Sequence, residues 1–110
     1  MTTRTFTVTV QSVGGYNKYF IDGVQQDTLV LAENGTYVFN WSAATSHPLR
    51  FSTTANGTHG GGSEYTTGVT TNGTPGRAGA YTQITVASGA PTLYYYCTNH
   101  SGMGWTANVS

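Results

Sequence analysis

Short segments in which apolar and polar residues alternate recur along the chain, and this pattern constrains the fold more than any other feature. From Thr5 to Val13, the side chains of Phe6, Val8 and Val10 fall on one side, as a half-buried strand requires. Asn34-Gly35, a dipeptide that tolerates positive φ, predicts a hairpin between two such segments. No segment shows a sustained helical period, so the sequence predicts an all-β protein.

Eight segments carry the strand pattern. They are 5–13, 18–22, 28–32, 36–41, 47–52, 81–87, 92–97 and 105–109. In the last segment, Trp105, Ala107 and Val109 are expected to share one face. A chain of 110 residues is enough for one modest core. We therefore predict a single domain over residues 1–110, folded as a Greek-key β-sandwich of seven or eight strands.

Residues 53–80 differ from the rest because glycine, threonine and turn signals dominate them. We interpret this segment as an irregular excursion with at most short strand pieces, and loops of this length are usually functional or mobile. Its glycines do not form a phosphate cradle, since neither a Gly-Lys-Ser/Thr sequence nor a helix signal follows them. His59 has no other ligand type beside it, so we expect it to be a solvated loop residue.

Charged residues are scarce, four basic and four acidic, and the formal net charge is zero. The chain thus lacks the basic footprint of nucleic-acid binding and the cationic face of a membrane-surface protein. No apolar run approaches the length of a membrane span. The acidic residues are dispersed, and no hydrolytic constellation is visible. A single cysteine excludes an internal disulfide, so packing or a bound metal must hold the fold.

The segment from Tyr94 to Met103 carries the most specific chemical signal. It places Cys97 at the end of an aromatic, strand-like run, His100 three residues later and Met103 three residues after that. His47, which also borders an apolar segment, supplies a second imidazole. Thiolate, imidazole and thioether form the donor set that suits copper cycling between Cu(I) and Cu(II).

These residues carry a resemblance to a known family. Thr92-Leu93-Tyr94-Tyr95-Tyr96-Cys97-Thr98-Asn99-His100, followed by Met103, resembles the carboxyl-terminal ligand loop of the cupredoxins, the small blue-copper proteins. The Cys-x2-His-x2-Met spacing is similar to that of amicyanin, and the loop also resembles that of plastocyanin. His47 with Leu49 and Phe51 fits the place of the upstream first ligand in that family.

The resemblance implies a type 1 site with one copper ion per chain. His47, Cys97 and His100 would be roughly trigonal ligands, both imidazoles would bind through Nδ1, and Met103 would be a weak axial ligand. It implies one-electron transfer to a redox partner protein, with His100 as an electron port at the surface. Tyr96, on the opposite face of the strand from Cys97, is the candidate for a second port.

The chain departs from the family pattern at two positions. Plastocyanin-like proteins typically have Asn after the first His and often Pro two residues after the Cys, whereas this chain has Pro48 and Asn99 there. Pro48 has no backbone N–H and suits a strand start or an edge strand. We therefore expect the backbone N–H of Asn99 to donate the remaining hydrogen bond to the Cys97 sulfur.

Other interpretations compete with a copper site. A lone small cysteine is most often a buried structural residue, and Met103 could fill a gap in the core. Zinc could bind two histidines and a thiolate, but it prefers a harder fourth donor or a water to a thioether. Four protein ligands leave no open position for a substrate, so we do not expect an enzyme.

The second candidate function is a structural or adhesive module of a virion or surface assembly. The composition, rich in Thr, Gly, Ser and Asn, resembles cupredoxin-like modules of marine phage virion proteins. In such a module copper would be stabilising or absent. The amino terminus has no apolar h-region of a secretory signal. Two locations remain open: periplasmic after removal of an export segment, or extracellular after lysis.

Overall fold

The computed structural model describes residues 3–110, and strands make up nearly all of its regular structure. The strands are β1 Thr3–Val13, β2 Tyr16–Ile21, β3 Val24–Gln25, β4 Leu29–Leu31, β5 Thr36–Asn40, β6 Leu49–Ser52, β7 Val69–Asn72, β8 Tyr81–Thr85, β9 Leu93–Cys97 and β10 Thr106–Val109. A short 3-10 helix, Gly57–Gly60, is the only helical element in residues 3–110. Within this range no helix has the length and apolar character to cross a membrane.

The ten strands form two sheets. One has six strands in the order β3-β2-β1-β5-β8-β7, and the other has four in the order β4-β10-β9-β6. β1 pairs with β5 and β4 with β10 in parallel, and the other neighbours are antiparallel. The prediction of an all-β protein is confirmed, and the two sheets are compatible with a sandwich.

Side chains from both sheets bury one shared core. Phe39 of β5 meets Phe51 of β6 edge to face, with ring centroids 5.3 Å apart. Aromatic pairs of this kind add roughly 0.5–1.5 kcal/mol beyond the area that they bury. A buried hydrogen-bond relay also joins the sheets: Trp41 Nε1 donates to Thr82 Oγ1 over 2.9 Å, and that hydroxyl donates to the Leu49 carbonyl over 2.5 Å. The relay fixes the start of β6 relative to the larger sheet.

The predicted count of seven or eight strands is wrong, because the described residues contain ten. β3 and β7 are the two additional strands. β3 has only two residues, both exposed, and β7 lies at the edge of its sheet with three of its four residues exposed. An exposed edge strand has no buried face, so it leaves no alternation in the sequence. The excursion 53–80 was expected to hold at most short strand pieces, which agrees with β7.

Trp105 does not share the buried face of the last strand. β10 begins at Thr106, and the Trp105 side chain is 54% exposed whereas Ala107 is fully buried. The Trp105 carbonyl accepts a hydrogen bond from the Tyr95 N–H over 3.0 Å, so its backbone still closes against β9. The alternating pattern of this strand therefore does not include Trp105.

The antiparallel pairing of β6 with β9 positions the predicted ligand segments. Leu49 lies opposite Cys97 in this register. His47 therefore comes just before β6 and His100 just after β9, at the same end of the sheet. β6 is an edge strand, so Pro48 directly precedes an edge strand as predicted.

The first part of the excursion covers the outer side of β9. The 3-10 helix lies over Tyr96, which is 1% exposed and stands outside the shared core. Gly57 has a φ of +55°, and a Cβ atom added there would overlap the base of the Tyr96 ring. Glycine is needed at this position both for its left-handed backbone and for the close approach of the ring.

We expect Gly57→Ala to lower the free energy of unfolding by about 2–5 kcal/mol, because left-handed strain and overpacking add. Gly61→Ala is the matched control, since Gly61 has a φ of +87° but open space where a Cβ would lie. Its cost should be strain alone, about 1–2 kcal/mol. Urea unfolding of both variants measures the difference. Equal costs would show that the helix does not press on Tyr96.

Candidate metal centre

Three predicted ligands come together at one end of the smaller sheet. The ligand atoms of His47, Cys97 and His100 all lie within 4.8 Å of one another. The Cys97 sulfur is 3.5 Å from Nδ1 of His47 and 3.9 Å from Nδ1 of His100. The two imidazole rings have centroids 4.5 Å apart. His47, Cys97 and His100 therefore form a group that could bind a metal ion.

A tight turn before β6 presents His47. The His47 N–H donates to the Ala44 carbonyl over 3.0 Å, and Ser46 has a φ of 68°. A non-glycine residue in the left-handed region costs of order 1 kcal/mol and persists only where its surroundings hold it. The Asn99 side chain supplies one such restraint, because its Nδ2 donates to the Ser46 carbonyl over 2.9 Å.

The backbone of Cys97 is held from both sides. Its carbonyl accepts a hydrogen bond from His59 Nε2 over 2.7 Å, and the following Thr98 N–H donates to the Pro48 carbonyl over 3.4 Å. A carbonyl can only accept, so His59 carries its proton on Nε2 in this contact. The peptide group between Cys97 and Thr98 is thus hydrogen-bonded to the excursion on one side and to the His47 segment on the other.

The rest of the ligand loop is fixed by two other segments. From the excursion, Asn56 donates through Nδ2 to Ser101 Oγ over 2.7 Å and accepts the Gly102 N–H at Oδ1 over 2.8 Å. From the larger sheet, Lys18 Nζ donates to the Gly102 carbonyl over 2.8 Å. Gln26 Nε2 donates to the Gly104 carbonyl over 3.0 Å. These bonds hold the loop without any metal.

Met103 is 1% exposed and belongs to the shared core. Its neighbours in the chain are fixed by the bonds to Gly102 and Gly104, so its backbone position is well restrained. Burial is compatible with both roles considered for this residue, an axial ligand and a core side chain. Its assignment as the axial ligand stays a prediction.

Asn99 makes a contact that the sequence did not predict. Its side chain ties the ligand loop to the His47 segment, because its Nδ2 donates to the Ser46 carbonyl. Around the Cys97 sulfur, the Nδ1 atoms of His47 and His100 lie within hydrogen-bonding distance, and which partner donates depends on the tautomers. The bond from the Asn99 backbone N–H to the sulfur stays a prediction.

The two predicted electron ports differ in accessibility. His100 is exposed, so its ring is available to a partner. Tyr96 faces away from the core as predicted, but the 3-10 helix buries it. The Tyr96 side chain therefore offers almost no surface to a partner, and its role as a second port stays a prediction. His59 is an exposed residue on that side, and its ring stands edge-on to Tyr96 at a centroid distance of 6.3 Å.

His59 is a residue that the sequence interpretation underestimated. It is exposed, as expected of a loop histidine, yet its ring bonds to the backbone of Cys97. The two positions are 38 residues apart and share no local pattern. The long excursion was the only signal, because a glycine-rich loop of this length is often functional.

The environment of His47 favours its neutral form. Burial of the ring, and after it the neighbouring His100, lower the pKa of His47 from the ordinary value of 6.5. A neutral imidazole has a free lone pair, which metal binding requires. The site therefore holds this ligand ready near neutral pH.

The donor arrangement fits a single soft or borderline metal ion. With bonds of about 2.0–2.3 Å, three ligands in a trigonal plane stand about 3.5–4 Å apart. The observed distances of 3.5 and 3.9 Å from sulfur to the two nitrogens agree with that spacing. The atoms that point at the sulfur are the Nδ1 atoms.

Comparison with protein-family models and with curated proteins gives no match. The functional interpretation therefore rests on the donor set and its geometry.

The lowered pKa of His47 predicts a pH dependence of stability in the metal-free protein. Between that pKa and 6.5 the unfolded chain binds more protons than the folded one, so stability falls as the pH drops through 6.5 and below. His47→Gln should lose this contribution and show a flatter profile. Urea unfolding between pH 8 and pH 5 measures both proteins. A variant profile parallel to that of the wild type would contradict the assignment.

Proposed function

We propose that the protein binds one copper ion in a type 1 site and serves as a one-electron carrier of cupredoxin type. The single observation that carries the proposal is the convergence of one cysteine sulfur and two imidazoles, whose Nδ1 atoms lie 3.5 and 3.9 Å from the sulfur. A thiolate with two imidazoles is the equatorial donor set of blue-copper sites. The all-β fold with two sheets and a loop that follows β9 supports the proposal, because it is compatible with a sandwich of the Greek-key cupredoxin kind.

His47, Cys97 and His100 would hold the metal, and Met103 is the proposed weak axial ligand. Bound copper would supply a one-electron couple between Cu(II) and Cu(I). The protein's own contribution is rigidity, because side-chain hydrogen bonds join the loop to three other segments. A site that keeps one shape in both oxidation states needs little rearrangement when an electron moves.

His100 is the exposed member of the group, which supports its role as the contact point for a redox partner. With only eight charged residues the chain cannot build a strong steering field, so apolar contact should dominate that encounter. With Met103 as the fourth ligand the centre would have no open position for a substrate, which favours a carrier over an enzyme. Zinc is the less favoured metal because a thioether is a poor ligand for it.

A structural module of a virion or surface assembly is the second candidate. Five exposed apolar side chains in residues 3–110 support it. They are Val13, Tyr16, Val24, Val30 and Trp105, which are 37%, 73%, 51%, 65% and 54% exposed. Val30 lies on β4, an edge strand of the smaller sheet. Exposed apolar residues on an edge strand suit contact between chains. Self-assembly in analytical ultracentrifugation, independent of copper, would favour this function.

Titration with Cu(II) tests the copper proposal directly. We expect one Cu(II) per chain and an intense blue colour, because a short copper–thiolate bond to Cys97 gives strong charge transfer. Cys97→Ser should fold and remain colourless. A wild-type protein that binds Cu(II) at one equivalent and stays colourless would contradict a type 1 site.

His59→Gln is the matched control for that titration. His59 bonds to the Cys97 carbonyl and not to the sulfur, so its loss should leave the blue band in place. A variant that loses the colour would show that the three converging donors are not sufficient and that the site also requires His59.

A further inference from the structure

Tyr19 lies on β2, the second strand of the larger sheet, and is fully buried, yet it contacts segments that carry the predicted ligands. It belongs to β2, and none of the sequence signals for a site includes it. Its backbone N–H donates to the Met103 carbonyl over 2.9 Å. Its hydroxyl donates to the His47 carbonyl over 2.7 Å in a buried hydrogen bond.

Cys97 is a further neighbour of Tyr19. Burial, and after it Cys97, raise the pKa of Tyr19 well above its ordinary value. Through its hydroxyl and its backbone N–H, Tyr19 thus joins the backbone of His47 to the backbone of Met103.

We propose that Tyr19 is the positioning residue of the metal centre, holding His47 on one side and Met103 on the other at a fixed separation beside Cys97. This inference rests on the proposed copper function and deepens it. The larger sheet carries Tyr19, while His47 comes just before β6 and Cys97 ends β9 on the smaller sheet. Tyr19 therefore fixes the ligand end of the smaller sheet relative to the larger one, as the Trp41–Thr82 relay does nearby.

Removal of the Tyr19 hydroxyl distinguishes a positioning role of this residue from a packing role. A phenylalanine would fill nearly the same volume in the core, and only the bond to the His47 carbonyl would be lost. Groups that orient metal ligands typically contribute roughly 10–100-fold to metal affinity. Loss of a buried hydrogen bond alone would lower the stability and leave the shape of the site unchanged.

Tyr95 offers a matched control within the same core. It is 1% exposed, its ring lies 6.4 Å from that of Tyr19, and its hydroxyl donates to the Asp27 carbonyl over 2.7 Å. Tyr95 stands on β9, two residues before Cys97, but its acceptor, the Asp27 carbonyl, belongs to a segment that holds no predicted ligand. Tyr95→Phe therefore removes the same kind of bond from a buried tyrosine without releasing a ligand segment. Tyr19→Phe and Tyr95→Phe should lower the melting temperature of the metal-free protein to a similar degree.

The experiment compares Cu(II) affinity, the visible spectrum and the histidine ring signals in NMR spectra of the metal-free proteins. We expect Tyr19→Phe to weaken Cu(II) binding at least tenfold, to shift or broaden the charge-transfer band, and to shift the His47 ring signals without metal. Tyr95→Phe should keep the affinity within threefold and leave the band and the His47 signals unchanged. The chain has three histidines, so their signals can be assigned by single substitutions.

The two proposals fail in different ways. If wild-type protein binds no Cu(II), the proposed function is wrong, and the metal-free NMR spectra still decide whether Tyr19 positions His47. If wild-type protein is blue and Tyr19→Phe matches Tyr95→Phe in affinity, band and His47 signals, Tyr19 is a packing residue only. That result would overturn the inference and leave the copper site intact.

Discussion

The antiparallel pairing between β6 and β9 is the interaction on which the candidate centre depends. Because Leu49 stands opposite Cys97, the segments that carry His47 and His100 leave the sheet at the same end. A shift of this register by one residue would turn one strand's side chains to the other face, and His47 and Cys97 would no longer meet. The buried relay that ends on the Leu49 carbonyl secures β6 against the larger sheet.

The ligand loop owes its shape to segments far away in the chain. Asn56 and His59 reach it from the excursion, Lys18 from β2, and Asn99 returns from the loop to the His47 turn. Each bond is modest, about 0.5–1.5 kcal/mol net, but together they restrain a loop that contains two glycines. A preorganised loop spends little of the binding energy of a metal on ordering the chain, which favours affinity and a constant geometry.

The same features bear on both candidate functions. An exposed His100 beside a buried sulfur suits electron exchange with a partner, whereas exposed apolar residues away from the centre suit assembly. A structural role would tolerate a metal of any redox behaviour, because the donors would only join β6 to the ligand loop. An electron carrier, in contrast, needs both a metal with a one-electron redox couple and a rigid site. Fold alone does not distinguish them.

The sequence by itself determined the β class, most strand positions and the candidate ligands Cys97 and His100, because alternation and ligand spacing are local properties of the chain. The alternation did not indicate β3 and β7, which bury no face, and it wrongly predicted that Trp105 shares the face of Ala107. Only the tertiary structure decided that Tyr96 is covered, that Asn99 bonds through its side chain, and which distant residues hold the loop. Those contacts join positions tens of residues apart, and their bond directions depend on backbone angles that no local pattern records.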